Sequence, residues 1–380
     1  MPDQPMNSTA AGDKGTAFPL VLGLDTFGDR TNTIDGQPLS HAQTIRNVVE
    51  EGVLAEQVGV DFFGIGEHHT DYFPMPAGDV VLAAIAARTQ RIHLGSAVTV
   101  LSSDDPVRVF QRYSTLNALS SGRAEVILGR GSSIESFPLF GYNLADYEQL
   151  FEEKTALFAQ LVEGGPVTWQ GTTRPALRDQ DVVPHLEDGR RLATWVGVGG
   201  SPQSVIRAAR LGFSLMLAII GGRPARFAPF TDLFQQALAS FGRPPLPVGV
   251  HGPGHIAPTD EQAREEFWPH WRELIRLVAV ERGFAIPTEE SFAYETGPLG
   301  ALYVGSPETV AQKIATNLRT LGATRFDLKY GAGGLPHETL MTNIELYGRE
   351  VIPRVREWMK EMTDMSRLVA NGESNWDQAG

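Results

Sequence analysis

Short apolar runs alternate with stretches of helical periodicity along nearly the whole chain. Residues 20–28, LVLGLDTFG, form a run rich enough in branched side chains for a buried strand. Across residues 40–58, Ile45, Val48, Val49, Leu54 and Val58 fall on one helix face, and Gly59 is a usual stop. The same alternation predicts further strands over 61–69, 92–101, 124–131, 193–198, 214–219, 247–257 and 325–329. Between and after them it predicts helices over 78–89, 106–121, 145–162, 202–211, 224–241, 307–321 and 336–362. Pro106, Pro202, Pro224 and Pro307 each stand at a first helical turn, where the missing N–H costs nothing.

Repeated strand–helix units imply a parallel sheet, so the fold class is α/β. Eight units in a chain of 380 residues fit a closed (β/α)8 barrel, the TIM-barrel architecture. An open doubly wound sheet in two domains is the rival; no linker divides the chain into halves. Two stretches break the rhythm and read as insertions after strands four and seven. The first, 164–191, suggests a hairpin near Val167–Gln170, and the second, 258–301, is helical in its first half. Residues 1–17 are small and polar and read as a disordered leader. One barrel domain is expected over 18–362, with a flexible tail over 363–380.

Composition narrows the function. With 32 basic against 45 acidic residues the formal charge is −13, which disfavours nucleic acid and anionic membranes as partners. Zero cysteines exclude disulfides, thiolate catalysis and Cys-ligated metals. No apolar run is long enough to span a bilayer, and the opening residues lack the pattern of a secretory signal, so the cytoplasm is the expected compartment. Forty glycines exceed the usual ~7 % and point to tight turns or close approach of backbone to a ligand.

In a barrel, chemistry sits at the C-terminal ends of the strands. There GGSPQS (199–204) ends strand five with two glycines and opens a helix at Pro202. Free amides at a helix N-terminus, with the Ser201 hydroxyl, make an anion site; a plain serine cap is the equal alternative. GSPETV (305–310) has similar grammar, but Glu308 in its first turn would repel a phosphate. Arg130, in GRGSS at the end of strand four, can reach an anion held over the neighbouring turn. GEHH (66–69) places Glu67, His68 and His69 after strand two. Adjacent strand residues face opposite ways, so one histidine is expected at the mouth and the other outside. No third ligand of suitable spacing accompanies them, so no metal is expected. His251 and His255 stand about 13 Å apart on a strand, too far for one metal, and read as solvated or core residues. FWPHWREL (267–274) reads as packing of the insertion.

Together these segments resemble the luciferase-like, flavin-dependent monooxygenases related to bacterial luciferase. The resemblance runs from about residue 21 to residue 355. Its most specific stretch is GSAVTVLSSDDPVRVFQRYSTLNALSSGRAEVILGRG (95–131), supported by GIGEHH, GGSPQSVIRAARLG and GSPETVAQKI. It implies FMN at the barrel mouth, a homodimer, and reduced flavin delivered by a separate reductase. O2 would be the co-substrate for oxygenation of a small organic molecule. Arg130 falls on a phosphate-binding arginine; Val198, Gly199, Gly200, Ser201 and Ser204 fall on the phosphate loop and its helix. Glu67, Ala97 and Val98 fall beside the flavin, with a cis peptide implied at Ala97–Val98. His68 falls on the acid–base histidine. Two positions depart from the family pattern. Glu148 stands where a second phosphate-binding arginine belongs, and Gly129 replaces a cysteine, so long-chain aldehyde oxidation is not implied. Hydride transfer with the deazaflavin F420 is the alternative on the same fold, and a flavin-binding protein without turnover is a third.

Overall fold

The computed structural model describes residues 18–131, 135–283 and 285–360. The leader expected over 1–17 and the tail expected over 363–380 lie outside the described residues. In chain order the strands are β1 (Val21–Thr26), β2 (Phe62–Ile65), β3 (His93–Ser96), β4 (Thr99–Val100), β5 (Ala124–Gly129), β6 (Val167–Trp169), β7 (Leu177–Gln180), β8 (Ala193–Val198), β9 (Ser214–Ala218), β10 (Val248–Ile256), β11 (Tyr303–Gly305) and β12 (Arg325–Tyr330). The helices are α1 (His41–Gln57), α2 (Gly78–Ala86), α3 (Pro106–Leu119), α4 (Ser136–Phe140), α5 (Tyr147–Glu163), α6 (Pro202–Leu211), α7 (Ala228–Ser240), α8 (Asp260–Arg282), α9 (Glu289–Thr296), α10 (Pro307–Thr320) and α11 (His337–Leu346).

Among the described residues, parallel pairing runs β1-β2-β3-β5-β8-β9-β10-β12 and returns to β1, closing an eight-stranded barrel. The (β/α)8 expectation holds. The first insertion carries the antiparallel β6–β7 hairpin, and the second carries α8 and α9 before β11 pairs with β10. Where the expected strand ran over 92–101, the ladder breaks after Ser96 and resumes as β4, which pairs with β5. The last helix also differs from its expected form: a π-helical turn at Tyr347–Val351 separates α11 from helical residues 352–360.

Local chemistry explains the helix starts. Ser201 caps α6, Pro202 follows it, and Gly212 ends the helix in the left-handed region at φ 72°. Asp105, Thr259, Thr288 and Ser306 cap α3, α8, α9 and α10 in the same way. Inside the barrel the Arg325 guanidinium lies 3.9 Å from the Phe62 ring centroid and 4.7 Å from that of Trp195. It donates to Glu125 at 2.6 Å and pairs with Asp327 at 2.9 Å, so the charge it brings into the core is compensated there.

Candidate active site

The strand ends surround a cavity of about 310 Å³. Its walls come from nearly every part of the ring: Asp25 and Phe27 from β1 and its end, Glu67 to His69 after β2, and Ala97 and Val98 after β3. Gly129 and Arg130 follow from β5, Gly197 and Gly199 from β8, Ala218 from β9, His251 from β10 and Asp327 from β12. Each of these positions lies in or just after a barrel strand, so the cavity opens at the mouth where the fold concentrates function.

Both histidines of the GEHH segment line this cavity. The expected opposition of His68 and His69 therefore fails. Strand β2 ends at Ile65, and the alternation of faces does not extend into the loop beyond it. His68 is buried against Phe27 and Phe73, with ring centroids 5.0 and 4.8 Å away, and its Nδ1 lies 2.9 Å from Glu135 Oε1. His69 Nε2 lies 3.1 Å from Glu67 Oε1. The other Glu67 oxygen accepts from the Val100 amide at 3.0 Å. Glu67 thus ties the second histidine to the backbone that follows β3.

The Ala97–Val98 peptide bond is cis, at the break between β3 and β4. Gly129 is required beside it: a Cβ there would stand 2.3 Å from Val98 Cγ2. The space that a larger residue would occupy is already filled by valine. Next to Gly129, Arg130 forms an ion pair with Glu148, and its guanidinium carbon lies 5.1 Å from the Tyr147 ring centroid. Glu148 also reaches Arg207 of α6 at 3.5 Å, and Arg207 pairs with Glu152. Arg207 is mostly buried, and its Nη1 has no hydrogen-bond partner among the described residues. Contacts between α5 and α6 thus place Glu148 between two guanidiniums, of which the sequence had pointed only to Arg130.

Of the turn residues, Gly199 lines the cavity, whereas Val198, Gly200, Ser201 and Ser204 stand outside its wall. Val198 and Ser204 are buried. The Ser201 hydroxyl accepts from the Ser204 amide at 3.4 Å, so the capping role exists whatever else the turn does. Gly200 sits at φ 128°, and a Cβ on Gly199 or Gly200 would meet nothing within 4 Å. The Gly200 and Ser201 amides donate to no protein acceptor among the described residues.

One functional candidate was missed. His251 is not simply a core or solvated residue: it lines the cavity, and its Nδ1 lies 2.7 Å from Asp25 Oδ2. Burial alone would lower its pKa, but the attraction of Asp25 and the hydrogen bond to it outweigh that and raise it above the ordinary value. Asp25 Oδ1 is buried with no hydrogen-bond partner among the described residues. Phe27 stacks on His251 at 6.1 Å and so stands between it and His68. Beside this pair, burial pushes the Asp327 carboxyl up to about 6 against the pull of Arg325. The available signal was an acid, Asp25, inside an otherwise apolar strand. His255 does behave as a core residue, stacked on Phe267 and 2.7 Å from Glu266. Among the described residues no group of three or more His, Asp or Glu side chains could hold a metal ion, and no helix is long and apolar enough to cross a membrane.

A second cavity, of about 590 Å³, adjoins the first and shares Phe27 and Ile220 with it. Trp271 of the FWPHWREL segment lines it, so that segment contributes to a cavity as well as to packing.

A family model described as luciferase-like monooxygenase matches residues 30–325. The chain is 29 % identical over 256 residues to the N-acetyl-S-alkylcysteine monooxygenase of Bacillus subtilis, covering 64 % of this chain and 70 % of that protein. Its fold is similar to the oxygenating constituent of 3,6-diketocamphane monooxygenase from Pseudomonas putida, solved in complex with FMN. That likeness has a TM-score of 0.69 at 19 % identity over 89 % of this chain and 99 % of the other. It is also similar to an F420-dependent secondary alcohol dehydrogenase, with a TM-score of 0.68 at 18 % identity over 89 % and 99 % of the two chains.

Proposed function

The chain belongs to the luciferase-like monooxygenase family, and from that premise we propose that it is a flavin-dependent monooxygenase using reduced FMN and O2 to oxygenate a small organic substrate. The observation that carries this reading is the open turn before α6. Two glycines with free space above them, unspent amides and the nearby Arg130 suit the phosphate of FMN. The adjoining cavity floor, with Ile127, Met216 and Val98, is apolar enough to receive a flat ring system. The residues present therefore fit the group.

In this reading Arg130, Gly199, Gly200 and Ser201 hold the phosphate, with Val198 and Ser204 fixing the turn from beneath. Ala97 and Val98 face the ring, and Glu67 braces that segment through the Val100 amide. Bound reduced flavin supplies the electrons by which O2 delivers one oxygen atom to the substrate and the other to water. The protein positions the groups and excludes water. His68, held by Glu135 at 2.9 Å, holds or moves a proton at the cavity wall. His251, held by Asp25, is placed to serve the floor in the same capacity. A separate reductase supplies the reduced flavin, and the protein works as a homodimer in the cytoplasm.

The test has two stages. The purified protein is titrated with FMN, riboflavin and F420, following flavin fluorescence. FMN should bind more tightly than riboflavin, and F420 binding alone would move the reading to hydride transfer. Oxygen consumption with reduced FMN is then measured for the parent and for His68→Ala. The variant should bind FMN but lose at least ~100-fold in turnover, the range for a general acid–base group. Flavin binding without oxygen consumption by the parent protein would leave a binding protein only.

A further inference from the structure

We propose that the second cavity is the substrate chamber and that it takes a neutral, largely apolar molecule carrying no charged group. The inference rests on reading the first cavity as the place of oxygenation. The chamber lies between the barrel mouth and the insertion that follows β10. Helix α8 lines it with Trp271, Leu274 and Val278, and the barrel side contributes Phe27 and Phe73. Its volume of about 590 Å³ falls within the range of small-molecule sites, ~300–1,000 Å³. Because Phe27 and Ile220 border both cavities, a molecule seated here has one end next to the cavity that His68 and His251 line.

The polar groups of the wall decide the class of molecule. Lys329 Nζ donates to both oxygens of Asp29 at 2.7 Å and to the Gly331 carbonyl at 3.0 Å, which uses its three donors. Glu295 accepts from the Gly222 amide at 2.8 Å and from the Ala301 amide at 2.9 Å. Thr288 and Ser291 bond each other in the capping box of α9. The Lys329 charge is thus spent inside the protein, and each Glu295 oxygen is occupied by a backbone amide. An anionic ligand would lose its hydration, find the Lys329 ammonium already engaged, and face the Glu295 carboxylate. A cationic one would lose its hydration too, and the carboxylate of this wall, Glu295, already accepts from two backbone amides and has its charge offset from within the protein by the neighbouring Lys313. A ligand with neither charge gives up only apolar hydration, which favours burial.

The full chain, without added flavin, is mixed with the neutral fluorescent probe N-phenyl-1-naphthylamine. The bound probe is displaced with 1-octanol, octanoate or octylammonium, which share one alkyl chain. Octanol should displace it at a concentration at least about tenfold lower than either charged compound, a difference of about 1.4 kcal/mol. Leu274→Trp, which pushes an indole into the chamber, should weaken probe binding at least about tenfold. If that variant does not fold, Ile286→Trp on the half-exposed rim serves the same purpose. Octanoate or octylammonium competing as well as octanol, or probe affinity unchanged in a folded tryptophan variant, overturns the proposal. Because no flavin is present, a protein that binds the probe but not FMN would sink the flavin reading and leave the chamber's chemistry standing. The reverse result would sink the chamber alone.

Discussion

The turn that enters α6 at Gly199 to Pro202 and the turn that enters α10 at Gly305 to Pro307 both spell Gly-Ser-Pro, and both use the serine as N-cap. At the second turn an anion is built in. Asp260, the first residue of α8, accepts from the Ser306 amide at 2.6 Å and from the Thr309 hydroxyl at 3.0 Å. A Cβ on Gly305 would stand 2.8 Å from that carboxylate. At the first turn the corresponding space is open, and Glu148 and Glu152 of α5 are engaged with Arg130, Arg207 and Arg210. The same local motif therefore serves as a structural clamp on one side of the barrel and, in the proposed reading, as the phosphate turn on the other. What separates them is the element packed above: an insertion helix that begins with aspartate in one case, and the cavity mouth in the other.

The sharpest way to break this contrast is Arg130→Ala. Loss of one charge-assisted contact to the phosphate should cost about 1.5–3 kcal/mol, roughly ten- to hundredfold in FMN affinity. Riboflavin, which lacks the phosphate, should bind as before. Unchanged FMN affinity in a folded variant would place the phosphate elsewhere. At the filled turn, Asp260→Ala should act on stability instead. It leaves the Ser306 amide and Thr309 hydroxyl without their partner, a cost of about 1–3 kcal/mol in urea denaturation. FMN titration of that variant should match the parent, and a change would mean that the two turns are not separate in role.

Glu148→Gln should have a smaller effect and the opposite sign. Releasing Arg130 from its exposed partner should tighten FMN binding by about 0.5–1 kcal/mol, a few-fold in the dissociation constant. Weaker binding would show that Glu148 orients the arginine rather than competing with the phosphate. The smallest effect is a pH signature of the clamp. Burial raises the Asp260 pKa, but the hydrogen bonds from Ser306 and Thr309 outweigh it, and the net value lies below the ordinary 3.8. The stability it contributes should therefore be complete above about pH 4 and fade as the pH falls through the lowered native value. Urea denaturation of the parent and of Asp260→Asn between pH 3 and 6 would show this as a gap between two stabilities that narrows toward the acid end. A gap of constant size across that range would mean the carboxylate's charge is not what holds the turn.

The alternation of apolar runs and helical faces carried the eight barrel strands and both insertions, because periodicity and proline or serine caps are local properties. Gly-Gly-Ser-Pro, Arg130 and the GEHH segment were legible for the same reason: each sits at a strand end, and a closed barrel gathers strand ends at one mouth. Distance across the ring was not legible. Asp25 and His251 are 226 residues apart in sequence, yet barrel closure through β10–β12 and β12–β1 sets them in hydrogen-bond contact. Glu148 read as a mere departure from a family pattern until the packing of α5 and α6 put it between Arg130 and Arg207. The facing of His68 and His69 was decided by where β2 stops, which depends on its partners β1 and β3 and not on the histidines themselves. Residue order along the chain thus determined which elements form and what chemistry each one carries to the mouth. Which charges meet, which are cancelled and which turn stays open was settled only in three dimensions, because electrostatic and hydrogen-bond energies depend on separations of a few ångströms that chain neighbours do not set.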